Sequence, residues 1–229
     1  MHPTKTSSAM PTVTSGLSKS LFVICLLYGG MTVLAGMLSF KQVSLGPLAV
    51  EAGIFAFLGL VVLTGAVHQV HGAKTADRLV LWGFLPLLVS MLLIGLVLGL
   101  PQSSAMPARN AAAFETVLSQ TPRIMAAGPV AYFVSLFLNI RILSALRGKG
   151  ERDSSLALML RGGIASALSQ AVDTLIFITL AFYGEFPIGS LLAGQMVAKV
   201  VLSLVLVPPL IALAVRLAQR LDRADLEAH

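Results

Sequence analysis

The chain has 229 residues, of which 56% are hydrophobic and only 11% charged, and its mean hydropathy is +0.89. An ordinary soluble domain carries about 25% charged residues, so this composition excludes a water-soluble globular enzyme and predicts an integral membrane protein. The net charge of +6 collects on one side of the apolar stretches, as shown below, and so gives no argument for nucleic-acid binding.

Residues 1–18 are rich in Ser, Thr, Pro and Gly, lack apolar periodicity and are expected to form a disordered cytoplasmic leader. Six apolar stretches follow, at 20–40, 47–68, 79–100, 123–145, 160–183 and 188–214. Each meets the roughly 20 residues that a membrane-spanning helix needs. The expected fold is therefore all-α: six transmembrane helices in a compact bundle over 19–216, with a short polar cytoplasmic tail at 217–229. The first stretch is too long for the apolar core of a signal peptide, and no small-residue cleavage site follows it. Its Cys25, the single cysteine, cannot form an internal disulfide and is expected to pack as a small apolar residue.

Basic residues orient the helices. Lys5, Lys19, Lys74, Arg78, Arg147, Lys149, Arg152, Arg216, Arg220 and Arg223 fall at the N-terminus, the even-numbered loops or the C-terminus. Lys41, Arg109 and Arg123 are the basic residues near the other side. The positive-inside rule then places both termini in the cytoplasm.

At the start of the second stretch, Glu51 either reaches the interface or titrates during transport. At its end, His68 and His71 share a helix face, but the neighbouring Gln69 and Lys74 supply no convincing ligand set, so no metal site is expected. The connection at 101–122 is the longest. Its stretch from Pro107 to Leu118 is expected to form a short surface helix, lying over a pocket mouth or along the interface.

The last three stretches carry the polar residues. Tyr132, Ser135 and Asn139 share one face of the fourth, and Ser166, Ser169, Gln170, Asp173 and Phe177 form one stripe on the fifth. In the sixth, Gln195 precedes Lys199 by one turn, and Pro208 and Pro209 predict a kink. An ionisable group in mid-span is costly and usually lines a cavity, so Asp173 and Lys199 mark the candidate centre. A carboxylate beside an amide and a ring suits a flat polar heterocycle, because its two oxygens match the adjacent N–H donors of a guanine-like edge. Alternatively, Asp173 pairs with Lys199 or Arg161 and clamps helices together; both roles can coexist. No phosphate-binding glycine loop or catalytic motif is present, so neither an enzyme nor a cofactor is expected.

Leu160-Arg161, Ser166, Ser169-Gln170, Asp173-Thr174, Ile176-Phe177 and Ala181-Phe182-Tyr183-Gly184, followed by Gln195, Lys199 and Pro208, resemble the queuosine precursor transporter family. The resemblance extends back through Gly72, Ala76, Arg78, Gly83-Phe84, Phe114-Glu115, Thr121-Pro122-Arg123 and Ser135, over roughly residues 45–210. It implies a bacterial inner-membrane importer of 7-deazaguanine bases for tRNA modification, related in architecture to the substrate-binding subunits of energy-coupling-factor vitamin transporters. It also implies a lipid-embedded bundle, with a homodimer as one assembly, and a polar core that includes Arg123, Gln170, Asp173, Gln195 and Lys199. The working expectation is that Asp173 holds the amino edge of the base and Gln170 and Gln195 orient it. Phe177 stacks, Lys199 balances charge, and Ser169 and Asn139 complete the polar lining.

Three positions depart from the family pattern: Gly65, Gln69 and Asn139 stand where acidic residues are common. Two other classes remain at this stage. One is a binding subunit for a vitamin-like or purine-like ligand that needs an ATP-driven partner, docking through Thr32 and Gly36. The other is a membrane scaffold or enzyme in which Asp173 and Lys199 are only a clamp.

Overall fold

A computed structural model of the chain describes residues 18–146 and 155–226. Within them are eight helical segments and a hairpin: α1 Lys19–Leu38, β1 Gln42–Leu45, β2 Leu48–Glu51, α2 Gly53–His71, α3 Ala73–Gly83, α4 Leu85–Leu98, α5 Ala108–Leu146, α6 Ser155–Phe182, α7 Gly189–Val205 and α8 Val207–Leu226. Three helices are long and apolar enough to cross a membrane: Lys19–Leu38, Gly53–His71 and the combined Ala73–Leu98. The pair Gly189–Val205 and Val207–Ala224 passes as a fourth span, bent by 49°. Large apolar side chains point outward, among them Leu92 and Leu204, both 72% exposed. Outward-facing Leu is costly in water and favourable in lipid, so the surface chemistry is that of a membrane protein.

The hairpin departs from the expectation of a helix over 47–68. Val43, Leu45, Leu48 and Val50 supply β-prone, apolar positions, and Gly46, with φ of 59°, turns the chain with Pro47 so that Leu45 pairs with Leu48. Glycine at the first central position of a two-residue turn suits the right-handed twist of the strands. Antiparallel pairing runs from Gln42 with Glu51 to Leu45 with Leu48. The Ala52 N–H also donates to the Lys41 carbonyl at 2.8 Å, which closes the base.

Other boundaries shift for identifiable reasons. Pro107–Leu118 is helical, but from Ala108 it runs without a break into the fourth stretch as α5, 39 residues long, with Pro122 and Pro129 inside it. It is therefore not a separate surface helix. The stretch at 79–100 is divided at Phe84, and Pro86 sits in the first turn of α4, where its missing N–H has no intrahelical partner to lose. The kink expected at Pro208 and Pro209 occurs at Leu206, and both prolines fall in the first turn of α8. α8 then continues through Leu226, into the residues expected as a polar tail. Cys25 lies on the exposed face of α1 rather than in the packing.

Apolar clusters join the elements, among them one of Leu58, Val62 and Val207 between α2 and α8. Ile24, Tyr28, Val67, Ala76, Leu79 and Ala218 tie α1, α2, α3 and α8 together. Ile124, Ala127, Ile178, Ala181, Phe182 and Leu191 tie α5, α6 and α7. Val50, Ile54 and Ala198 seat the hairpin between α2 and α7. At one end of the molecule Ser20 fastens three chain segments. Its N–H and hydroxyl donate to Asp222 at 2.9 and 2.7 Å, and its Oγ lies 2.8 Å from His71 Nε2. The start of α1, the end of α2 and the late part of α8 are thus on the same side.

Gly194 explains how the hairpin approaches α7. A β-carbon there would overlap the Ala49 carbonyl and crowd its amide, both backbone atoms that cannot rotate away. Gly194→Val is expected to lower the stability of the detergent-solubilised protein by about 1–3 kcal/mol, the usual cost of overpacking. Gly95→Ala, where nothing lies within 4 Å, is expected to cause no loss. Thermal unfolding of the two variants side by side checks this.

Candidate functional site

α6 and α7 place Asp173 and Lys199 at comparable depth. Asp173 lies nine residues before the Phe182 end of α6 and Lys199 ten residues after the Gly189 start of α7, about 14 and 15 Å along the two axes. That is about half of the roughly 30 Å hydrocarbon core. Lys199 Nζ sits 2.7 Å from Asp173 Oδ2, with the two side chains 5% and 14% exposed. Lys199 also lies over the Phe57 ring, 4.6 Å from its centroid, in cation–π geometry. An ion pair at this depth has to offset a large desolvation cost, and additional contacts to both partners are what make it tenable.

The pair lines a cavity of about 470 Å³, within the range of small-molecule sites. Its wall draws on every helix and on the hairpin. Aromatic rings come from Tyr28, Phe57, Phe84, Tyr132 and Phe177, and further polar groups from Thr32, Ser39, Glu51, Thr64 and His68. Phe84 and Tyr132 are neighbours, with ring centroids 5.5 Å apart.

The two oxygens of Asp173 differ. Oδ2 takes the short bond from Lys199, whereas Ser135 Oγ lies 3.4 Å from Oδ1. That hydroxyl has a better acceptor in the Tyr132 carbonyl at 2.9 Å, and a single proton cannot serve both.

Of the residues singled out from sequence, Asp173, Phe177 and Lys199 line this cavity. Gln195 is fully buried behind the wall and bonded to Glu51 in both directions: its Nε2 donates to Glu51 Oε1, and its Oε1 accepts from the Glu51 N–H at 3.2 Å. Ser169 is buried and Gln170 half-buried on α6, outside the lining. The Gln170 carbonyl accepts from Thr174 Oγ1 at 2.9 Å. Arg123 is exposed and caps the end of α6. It donates to the Leu180 and Tyr183 carbonyls at 2.8 and 2.6 Å and pairs with Glu185 at 3.1 Å. The side chains of Asn139, Arg161 and Ser166 lie outside the described residues.

Glu51 is the residue that sequence reading undervalued. It neither snorkels nor faces solvent: it is 3% exposed, lines the cavity, and accepts from Ser39 Oγ at 2.6 Å as well as from Gln195. A sequence signal was present, since Glu51 is the first carboxylate in the chain and borders an apolar stretch. Only the hairpin, which folds it back against α7, reveals its position.

Residues 51–213 match the family model described as a putative vitamin uptake transporter. The chain belongs to that transporter family. It is 31% identical over 160 residues to a probable queuosine precursor transporter of Bacillus subtilis strain 168, an alignment covering 69% of this chain and 68% of that relative. No solved structure matches the chain. Membership makes the protein a membrane transporter rather than an enzyme.

Removing one partner of the buried pair leaves the other charge uncompensated, at a typical cost of about 3–5 kcal/mol. Lys199→Met is therefore expected to be severely destabilised, whereas Asp173→Asn combined with Lys199→Met recovers most of that loss. Melting temperatures of the two variants and the parent in the same detergent give the comparison; an additive double variant would contradict the pairing.

Proposed function

We propose that the protein is a six-span carrier of the bacterial inner membrane that imports a 7-deazaguanine precursor of queuosine, with Asp173 as the principal cargo contact. Six passes follow in this reading if α3 with α4 is one crossing, α7 with α8 another, and α5 and α6 each cross alongside α1 and α2; α1, α2, the combined α3 and α4 and the bent α7 and α8 pair are long and apolar enough to do so. The positions of the basic residues orient both termini toward the cytoplasm. The observation that carries the cargo reading is a carboxylate in the wall of an aromatic-lined cavity. Lys199 holds Asp173 Oδ2, and in this reading Oδ1 is the oxygen offered to cargo beside Phe177, Phe84 and Phe57. A planar base with adjacent N–H donors satisfies that oxygen and stacks on rings in the same step.

Lys199 has one role in this reading: it fixes the carboxylate orientation. Gln195 acts one layer further out, holding Glu51 and hence the hairpin. Ser169, Gln170 and Arg123 support α6 rather than touching the base, and Asn139 is assigned no contact.

A binding subunit that depends on an ATP-driven partner would present Thr32 and Gly36 on the surface. Thr32 is 4% exposed, and a β-carbon at Gly36 would overlap Met125 of α5. Both residues line the cavity, so this face of α1 is occupied from within the chain. That favours a self-sufficient carrier.

The test is the queuosine content of tRNA in bacteria that neither make nor import its precursors, supplied with single bases at low concentration. Expression of the protein is expected to restore the modification with at least one base. Asp173→Asn is expected to reduce uptake at limiting base by about tenfold or more, in line with roughly 1.5–3 kcal/mol for a charge-assisted hydrogen bond. Full uptake by Asp173→Asn at equal protein level would remove Asp173 from the site.

A further inference from the structure

Two cavities meet at one side chain. Besides the central cavity, a second of about 350 Å³ lies among Phe40 after α1, Gln42 of β1, Gln120 of α5, and Phe182 and Phe186 at the end of α6. α1 ends and α2 begins at this end of the molecule, one helix length from the Ser20 and His71 fastening at the other. Ile124 of α5 lines both cavities and is 1% exposed. It packs in one apolar cluster with Ile178, Phe182 and Leu191, so its side chain is part of the wall between the two spaces.

The wall carries a row of rings from one cavity to the next. Phe186 and Phe182 line the second cavity with centroids 5.5 Å apart, and Phe177, 6.1 Å from Phe182, lines the central one. Gln42 and Gln120 add amides that both donate and accept. Glu185, the charged side chain of this lining among the described residues, is paired with Arg123 at 3.1 Å. Rings beside amides suit a planar polar ring, which stacks on its faces and hydrogen-bonds at its edge.

The turn that carries Ile124 is both weakened and fastened. It stands between Pro122 and Pro129 inside α5. Each proline removes the helical hydrogen bond that the Leu118 or Met125 carbonyl would accept, so the helix yields more readily here than along an unbroken stretch. Against that, the neighbouring Arg123 donates to the Leu180 and Tyr183 carbonyls at 2.8 and 2.6 Å and ties this turn of α5 to the end of α6.

We propose that Ile124 is the outer gate of the transporter, that Arg123 is the latch holding it shut, and that the second cavity is the vestibule where a planar ring stacks on Phe182 and Phe186 before passing inward. This rests on the transport reading and the orientation proposed above and deepens them, because it gives cargo its route to Asp173.

Thiol accessibility in intact cells tests the gate without any cargo. Gly128 lines the central cavity one turn from Ile124, and a β-carbon there meets nothing within 4 Å, so Gly128→Cys in a Cys25→Ser background places the only thiol of the chain just behind the gate. A membrane-impermeant methanethiosulfonate added outside is expected to modify it slowly. Adding Ile124→Ala is expected to speed modification at least about tenfold, and Arg123→Ala by about threefold or more, by raising the population of the open state. Gln120→Cys, in the vestibule, is expected to react quickly whatever residue stands at 124. Modification of Gly128→Cys that is as fast with Ile124 as with alanine there would overturn the gate, and so would protection that persists in both variants. Gln120→Cys that reacts in inverted vesicles but not in cells would overturn the outer assignment. If Ile124→Ala does not accumulate, Arg123→Ala decides, since its side chain is exposed. Failure here leaves the cargo reading to the tRNA measurement, and failure there leaves the gate to this one.

Discussion

The ion pair between Asp173 and Lys199 constrains nearly everything around it. Two charges about half-way through an apolar layer lose most of their hydration, and their mutual attraction offsets that loss only when the geometry is fixed and further contacts are supplied. Phe57 lies against the ammonium and Ser135 is within reach of the carboxylate, so α2 and α5 are drawn into an interaction that belongs formally to α6 and α7. The pair also decides where space remains. Long polar side chains converging from several helices do not fill a volume as branched apolar ones do, and the cavity lies where they meet.

The hairpin is the second constraint. Backbone that is neither helical nor part of a closed sheet is tolerated at membrane depth only when it is buried in protein or lines a cavity, and β2 does so: Val50 and Glu51 are buried and Glu51 lines the cavity. Cross-strand bonds with β1 satisfy part of the backbone, and the Gln195 side chain satisfies the Glu51 N–H. Close approach to α7 is possible because Gly194 has no side chain to obstruct Ala49. Gly53 has a similar role at the start of α2, where a β-carbon would overlap Ser39 and the Ala35 carbonyl. The glycines therefore permit the insertion, and the insertion delivers Glu51 to the cavity wall.

Much of this was legible in the sequence, for reasons that differ by element. The apolar runs of α1, α2 and the paired α3 and α4 stand out because lipid-facing Leu and Val are a direct compositional signal. The hairpin did not stand out, because Val43 through Val50 continue the apolar run and hydropathy is blind to whether such residues alternate across a strand or wind round a helix. The 39-residue length of α5 was hidden because the polar residues before Pro122 give no spanning signal, so the helix at Pro107–Leu118 was read apart from the stretch at 123–145. Asp173 and Lys199 were visible because a charge within an apolar run is anomalous on its own. Glu51, at the edge of such a run, looked like an interface residue until the chain reversal placed it opposite Gln195. Arg123, which the resemblance implied belongs to the polar core, closes the end of α6 with its side chain.

A clamp and a binding site are often treated as competing explanations for a buried ion pair, but Asp173 shows why one residue serves both. A carboxylate carries two acceptor oxygens, and a lysine is a point charge that engages one of them, unlike an arginine fork that would engage both. Lys199 bonds Oδ2, and that bond holds α6 against α7. Under the transport reading proposed above, cargo would meet the other oxygen without displacing the lysine and would add to a pre-organised site, so little reorganisation would oppose binding. On that reading the identity of the cation at position 199 is as consequential as the carboxylate it faces, because an arginine there would occupy the oxygen that the cargo needs.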